Sequence, residues 1–81
     1  MRVKVRLFAR LREIAGSPEF EREIAGAATL GGVWDQLARE YPDMAPYRGS
    51  ISGAVNAEYA RMDAPLSDGD EVAFLPPVSG G

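Results

Sequence analysis

Leu30, Val33, Trp34, Leu37, Ala38 and Tyr41 recur at the spacing that lines up one side of an α-helix, with Asp35, Gln36, Arg39 and Glu40 on the other. Thr29 stands where an N-cap belongs, and Pro42 stands where the helix must stop. Gly31 and Gly32 fall in the first turn, each at a cost of roughly 1 kcal/mol against alanine. Glycine at the third position after Thr29 also rules out a reciprocal capping box. The stripe reads as core rather than as a cofactor site. One such helix crossing over one face of a small sheet would be an α+β layer arrangement.

The strands are legible from alternation. Residues 2–8 place Val3, Val5 and Leu7 on one face and Arg2, Lys4, Arg6 and Phe8 on the other. Ala9 to Ala15 reads as a short helical turn closed by Gly16 in the left-handed region. After a turn at Ser17-Pro18, Phe20 and Ile24 face inward and Glu21 and Glu23 outward, predicting a strand antiparallel to the first. Gly26-Ala27-Ala28 is a loop. Residues 42–50 form a turn-rich connection with one turn of 3₁₀ helix. Ile51–Asn56 is a third strand weakened by Gly53, and Ala57–Ala60 is a brief extended stretch around Tyr59. Ser67-Asp68-Gly69-Asp70 is a turn that sets up the last strand, Glu71–Leu75, with Val72 and Phe74 pointing one way and Ala73 and Leu75 the other. The expected class is α+β: a small mixed sheet of four to five strands, one main helix on one face, and the first and last strands paired at the centre.

Composition narrows the function. Eighty-one residues hold a single domain, placed at residues 1–75, with residues 76–81 as an extended, flexible tail. A net charge of −3 lacks the basic stripe that nucleic acid calls for. Neither a membrane span nor a signal-peptide pattern appears in the sequence, so a cytoplasmic location is the default expectation. With no cysteine and no histidine, thiolate nucleophiles, disulfides and imidazole bases or metal ligands are excluded. That leaves carboxylates, Lys4, three tyrosines and the termini as candidate acids and bases. We therefore expect no catalysis from this chain by itself, and no metal or cofactor bound to it.

The end of the sequence carries the functional signal. Pro76-Pro77 cannot donate to a sheet ladder, so they end the strand and launch Val78-Ser79-Gly80-Gly81 in an extended direction. Six residues reach roughly 20 Å at about 3.3 Å each. Without side chains, Gly80 and Gly81 can thread a slot closed to any other residue. A terminal Gly-Gly is by itself a weak sign, since chain ends are where disorder concentrates. What stands beside it strengthens it. If the helix covers Val3, Val5, Leu7, Val72 and Phe74, then Phe8 and Leu75 emerge on the uncovered face, and they stand at the end where the tail departs if the first and last strands run parallel. Tyr59 joins them, and Arg6, Arg10 and Arg12 supply a polar rim. An apolar cluster on an open sheet face is a candidate partner surface, unless the 42–50 loop covers it.

The chain resembles the small, sulfur-carrier subunits of molybdopterin synthase, within the ubiquitin-like β-grasp fold. The resemblance spans nearly all of it and is carried by Leu7-Phe8-Ala9-Arg10-Leu11-Arg12-Glu13, by Ala54-Val55-Asn56-Ala57-Glu58-Tyr59, and above all by Leu66 to Gly81. Thiamine-pathway carriers share the fold and the Gly-Gly end but lack the Asp-Gly-Asp-Glu-Val…Pro-Pro-Val run. The resemblance implies a carrier: an E1-like enzyme uses ATP to adenylate the Gly81 carboxylate, and a sulfurtransferase supplies the sulfur that turns it into a thiocarboxylate. The tail then inserts into the large subunit of a heterotetrameric synthase, which builds the molybdopterin dithiolene. Phe8, Arg12, Tyr59, Leu75, Pro76, Pro77, Val78 and Ser79 would contact partners. A sulfur carrier for thiamine or tRNA thiolation, a modifier conjugated through Gly81, and an adaptor with an inert tail stay open as alternatives.

Overall fold

The computed structural model describes residues 1–25 and 28–77. The element order is β1 (Arg2–Leu7), α1 (Ala9–Ala15), β2 (Glu19–Glu23), α2 (Leu30–Glu40), a 3₁₀ segment (Pro42–Tyr47), β3 (Ser52–Val55), β4 (Glu58–Ala60) and β5 (Glu71–Leu75). The strands form one sheet in the order β2-β1-β5-β3-β4. β1 and β5 run parallel, Leu7 opposite Phe74, and the other neighbours are antiparallel. The mixed α+β class and the pairing of the first and last strands agree with the sequence pattern.

The helix stripe and the inward strand residues make one core. Val3, Val5, Leu7, Leu30, Val33, Trp34, Leu37, Val72 and Phe74 are almost fully buried in a single cluster, joined by Leu11 of α1. Each such side chain gives roughly 1.5–3 kcal/mol relative to exposure, which sets the direction each strand faces. Thr29 caps α2 as expected, its Oγ1 accepting from the Gly32 N–H at 3.1 Å. Two more N–H groups at that helix end, on Leu30 and Gly31, donate to the carbonyls of Ala64 and Met62 at 3.0 and 2.7 Å. The 62–66 segment thus satisfies donors that no capping box could.

Several details depart from the sequence pattern. Phe8 is not a strand residue: β1 ends at Leu7, and Phe8 is the N-cap of α1. Ala9 follows with φ of 51°, a left-handed conformation that nothing in an alanine announces. β2 begins one residue early, at Glu19; Phe20 faces inward as expected, half-buried against the core with the Arg22 guanidinium 4.5 Å over its ring. Residues 42–47 form a longer 3₁₀ segment than one turn, because Met44 is drawn fully into the core. β3 spans Ser52–Val55, narrower than 51–56: Asn56 and Ala57 turn the chain with φ of 51° and 70°. Gly53 does not weaken β3 by accident. A Cβ there would lie 2.5 Å from Leu30 Cδ2 and 3.2 Å from Met62 Cε, so any other residue would force those side chains to shift. No helix among the described residues is long and apolar enough to cross a membrane.

Candidate functional site

The uncovered face of the sheet has two unlike halves, and register decides which residue belongs to which. Arg2, Lys4 and Arg6 on β1 stand across from Glu23, Glu21 and Glu19 on β2. Ion pairs join Lys4 Nζ to Glu19 at 3.0 Å, Arg2 to Glu21 at 3.6 Å and Arg6 to Glu71 of β5 at 3.8 Å. The hydrogen bond to Glu19 and its charge raise the Lys4 pKa, Glu71 adding to them and Arg6 opposing, while the same bond lowers that of Glu19. This half is a ladder of exposed ion pairs, three cations against four carboxylates, each pair contributing little to stability.

The other half is apolar. Phe8, Tyr59, Leu75, Ala54, Ala57 and Ala73, with Arg6 and Glu71 at one side, line an open cleft of about 260 Å³. Ala54 pairs with Ala73 across β3 and β5 and with Tyr59 across β3 and β4, so small residues floor the cleft and large ones rim it. Phe8 and Tyr59 are the exposed large hydrophobic residues among those described, at 37% and 80% of full exposure. Arg6 sits with its guanidinium carbon 5.5 Å from the centre of the Phe8 ring and holds that ring from the charged side. The 42–47 segment leaves the cleft open, since it packs Met44 into the core with α2.

The cleft lies at the end from which the tail leaves. Because β1 and β5 are parallel and Leu7 pairs with Phe74, Phe8 and Leu75 follow at the same edge, and Pro76-Pro77 continue from there. Pro76 is half-buried and Pro77 exposed. Val78, Ser79, Gly80 and Gly81 lie outside the described residues. Arg10 and Arg12 are not brought to the cleft: they ride on α1, where Arg10 pairs with Glu13 at 3.8 Å, and of the expected rim only Arg6 takes part. Sequence reading missed Ala54, Ala57 and Ala73. Ala73 shares the alternation of Leu75, but its juxtaposition with Ala54 depends on a register no single strand reveals.

A larger hollow of about 530 Å³, beside Thr29, Gln36, Arg39 and Pro65, lies on the helix side, away from the end at which β5 leaves the sheet. No group of three or more acidic, cysteine or histidine side chains arranged to hold a metal ion occurs among the described residues.

Comparison with known proteins adds a family to this geometry. The ThiS family model matches residues 5–81. The chain belongs to the ThiS family. Within it, the chain is 38% identical to the molybdopterin synthase sulfur carrier subunit of Escherichia coli, over 98% of this chain and 99% of that one. It is 36% identical to small archaeal modifier protein 1 of Haloferax volcanii, over 94% and 97%. A crystal structure of that modifier superposes with a TM-score of 0.84 at 30% identity, covering 95% of this chain and 98% of that one. In a protein–protein complex of subunits 1 and 2 of the Helicobacter pylori molybdopterin-converting factor, a chain matches over 100% of both at 27% identity and a TM-score of 0.69. The sheet and helix are therefore those of the ubiquitin-like β-grasp sulfur carriers.

Proposed function

We propose that this chain is the sulfur-carrier subunit of a molybdopterin synthase. Its reactive group is the Gly81 carboxylate. A carboxylate is a poor electrophile until its oxygen bears a good leaving group. An E1-like partner supplies one when the Gly81 carboxylate oxygen attacks the α-phosphorus of ATP, expelling pyrophosphate and forming an acyl-adenylate. A persulfide on a sulfurtransferase then attacks the acyl carbon and AMP leaves; a thiol next attacks the enzyme-side sulfur of the acyl disulfide, the S–S bond breaks, and the thiocarboxylate departs, leaving the sulfurtransferase in a mixed disulfide. In the large subunit the thiocarboxylate sulfur bonds to a carbon of the pterin precursor as a carbon–oxygen bond there breaks and the oxygen substituent leaves, and water then splits the acyl–sulfur bond to return the carboxylate. The chain itself catalyses none of these steps. It presents its end and docks.

The observation that carries this reading is the exposed Phe8–Tyr59–Leu75 cleft at the edge where Pro76-Pro77 lead away. A docked partner covering the cleft would have the tail directed into its own interior. The relatives named sulfur carrier subunits, and the two-subunit complex among the related structures, support the same assignment. The relative named a modifier favours a second reading, in which activated Gly81 is passed to a lysine of a target protein.

Deletion of Gly81 tests the proposal. The shortened chain should keep the same circular dichroism spectrum and urea midpoint, because β5 ends at Leu75, and should lose ATP-dependent loading with sulfur completely. Sulfur loading that survives the deletion would overturn it.

A further inference from the structure

An activated carboxyl group reacts with any neutral amine within reach, and this chain carries nine basic residues of which only Lys4 has a primary amine in its side chain. Lys4 lies on the open face that another copy's tail could approach, and it is about half exposed. It does not stand free. Glu19 of β2 reaches diagonally to place a carboxylate oxygen 3.0 Å from Nζ. Glu21 of β2 and Glu71 of β5 are its register partners on the two sides, and Arg2 and Arg6 flank it along β1. Arg2 and Arg6 are themselves ion-paired with Glu21 and Glu71, so among the described residues Glu19 is the carboxylate within ion-pair distance of Lys4, with Arg6 as Glu19's own register partner on β1.

We propose that Glu19 guards Lys4 against acylation by activated carboxyl groups, including the activated Gly81 of a second copy. This inference rests on the proposed activation of Gly81 only for its biological setting. To be acylated, the ammonium must first give its proton to solvent. The nitrogen lone pair then forms the bond to the acyl carbon as the bond to the leaving group breaks, and a second proton passes from nitrogen to solvent to give the neutral amide. Glu19 opposes the first step, since the hydrogen bond and the charge beside it hold the proton on Nζ. The carrier's end is thereby kept for sulfur, and the docking face is kept clear of a linked copy.

The test is the rate of acetylation of Lys4 by an N-hydroxysuccinimide ester of acetic acid, followed by peptide mass spectrometry between neutral and mildly alkaline pH. Such a probe needs no activating enzyme, so its outcome is independent of whether Gly81 is ever adenylated. Glu19→Gln should label roughly two- to five-fold faster than the unaltered chain, the span an exposed ion pair can supply, with its rate–pH profile displaced to lower pH. Glu19→Asp, which keeps the charge, should fall between the two. Equal rates and superimposable pH profiles in all three proteins would overturn the guard.

Discussion

The rings of Trp34 in α2 and Phe74 in β5 meet inside the core with centroids 5.2 Å apart and planes tilted by 58°. This contact fixes the strand whose next residue, Leu75, turns outward into the cleft and whose continuation is the tail. Phe74→Ala should cost about 3–5 kcal/mol, from lost transfer energy and the cavity left against Trp34. Urea unfolding followed by the emission of Trp34, the chain's single tryptophan, reads both the lost stability and the altered ring environment.

The adjacent glycines of α2 should respond oppositely to alanine. At Gly32 an added Cβ would meet Thr29 Oγ1 at an ordinary 3.4 Å, so Gly32→Ala should gain about 0.5–1 kcal/mol of helix propensity. At Gly31 the Cβ would sit 3.0 Å from the Met62 carbonyl oxygen, which already accepts the Gly31 N–H at 2.7 Å and cannot retreat without losing that bond. Gly31→Ala should therefore destabilise by about 1–3 kcal/mol as an overpacked contact. Thermal melts of the two variants side by side decide it.

These glycines mark where sequence reading runs out. The stripe from Leu30 to Tyr41 and the alternation of Val3, Val5 and Leu7 name the helix, the strand and the buried face, because burial imposes a period on each. Close approach leaves no such period. Gly31 and Gly53 look like local weaknesses until Met62 and Leu30 are seen against them. Phe8 was legible as an apolar residue on a charged face, but its place as a helix cap depends on a left-handed alanine. The alanine floor of the cleft and the diagonal reach of Glu19 to Lys4 both come from strand register, which pattern within one strand does not encode.

Cleft variants should separate docking from folding. Tyr59→Ala, at a largely exposed position, should leave stability within about 0.5 kcal/mol of the unaltered chain. It should nonetheless weaken binding to a molybdopterin synthase large subunit roughly tenfold or more, as Phe8→Ala should, because rim aromatics of this kind act as anchors once covered. Calorimetric titration measures the affinity, and circular dichroism checks the fold.

Acid should act on the turn that starts β5. Asp70 accepts from the Ser67 N–H at 2.8 Å and from Asn56 Nδ2 at 3.0 Å, and those bonds hold its carboxyl below its ordinary pKa, the Ser67 bond first. A depressed folded-state pKa means that the stabilisation is fully present above the unfolded value and disappears as pH falls through the folded one. The urea midpoint of the unaltered chain should fall across that acidic window. Asp70→Asn should be less stable at neutral pH and should lose this part of the acid dependence.

Everything proposed for the cleft and the tail serves one chemical event at Gly81. The chain should be incubated with an E1-like activating enzyme, ATP and a sulfur source, and the mass of its C-terminal peptide measured before and after adding the large subunit and pterin precursor. The expected peptide has one oxygen of the Gly81 carboxyl replaced by sulfur, reverting to oxygen when the large subunit turns over. An unchanged peptide, or Gly81 recovered only in amide linkage to lysines of other proteins, would contradict the carrier role.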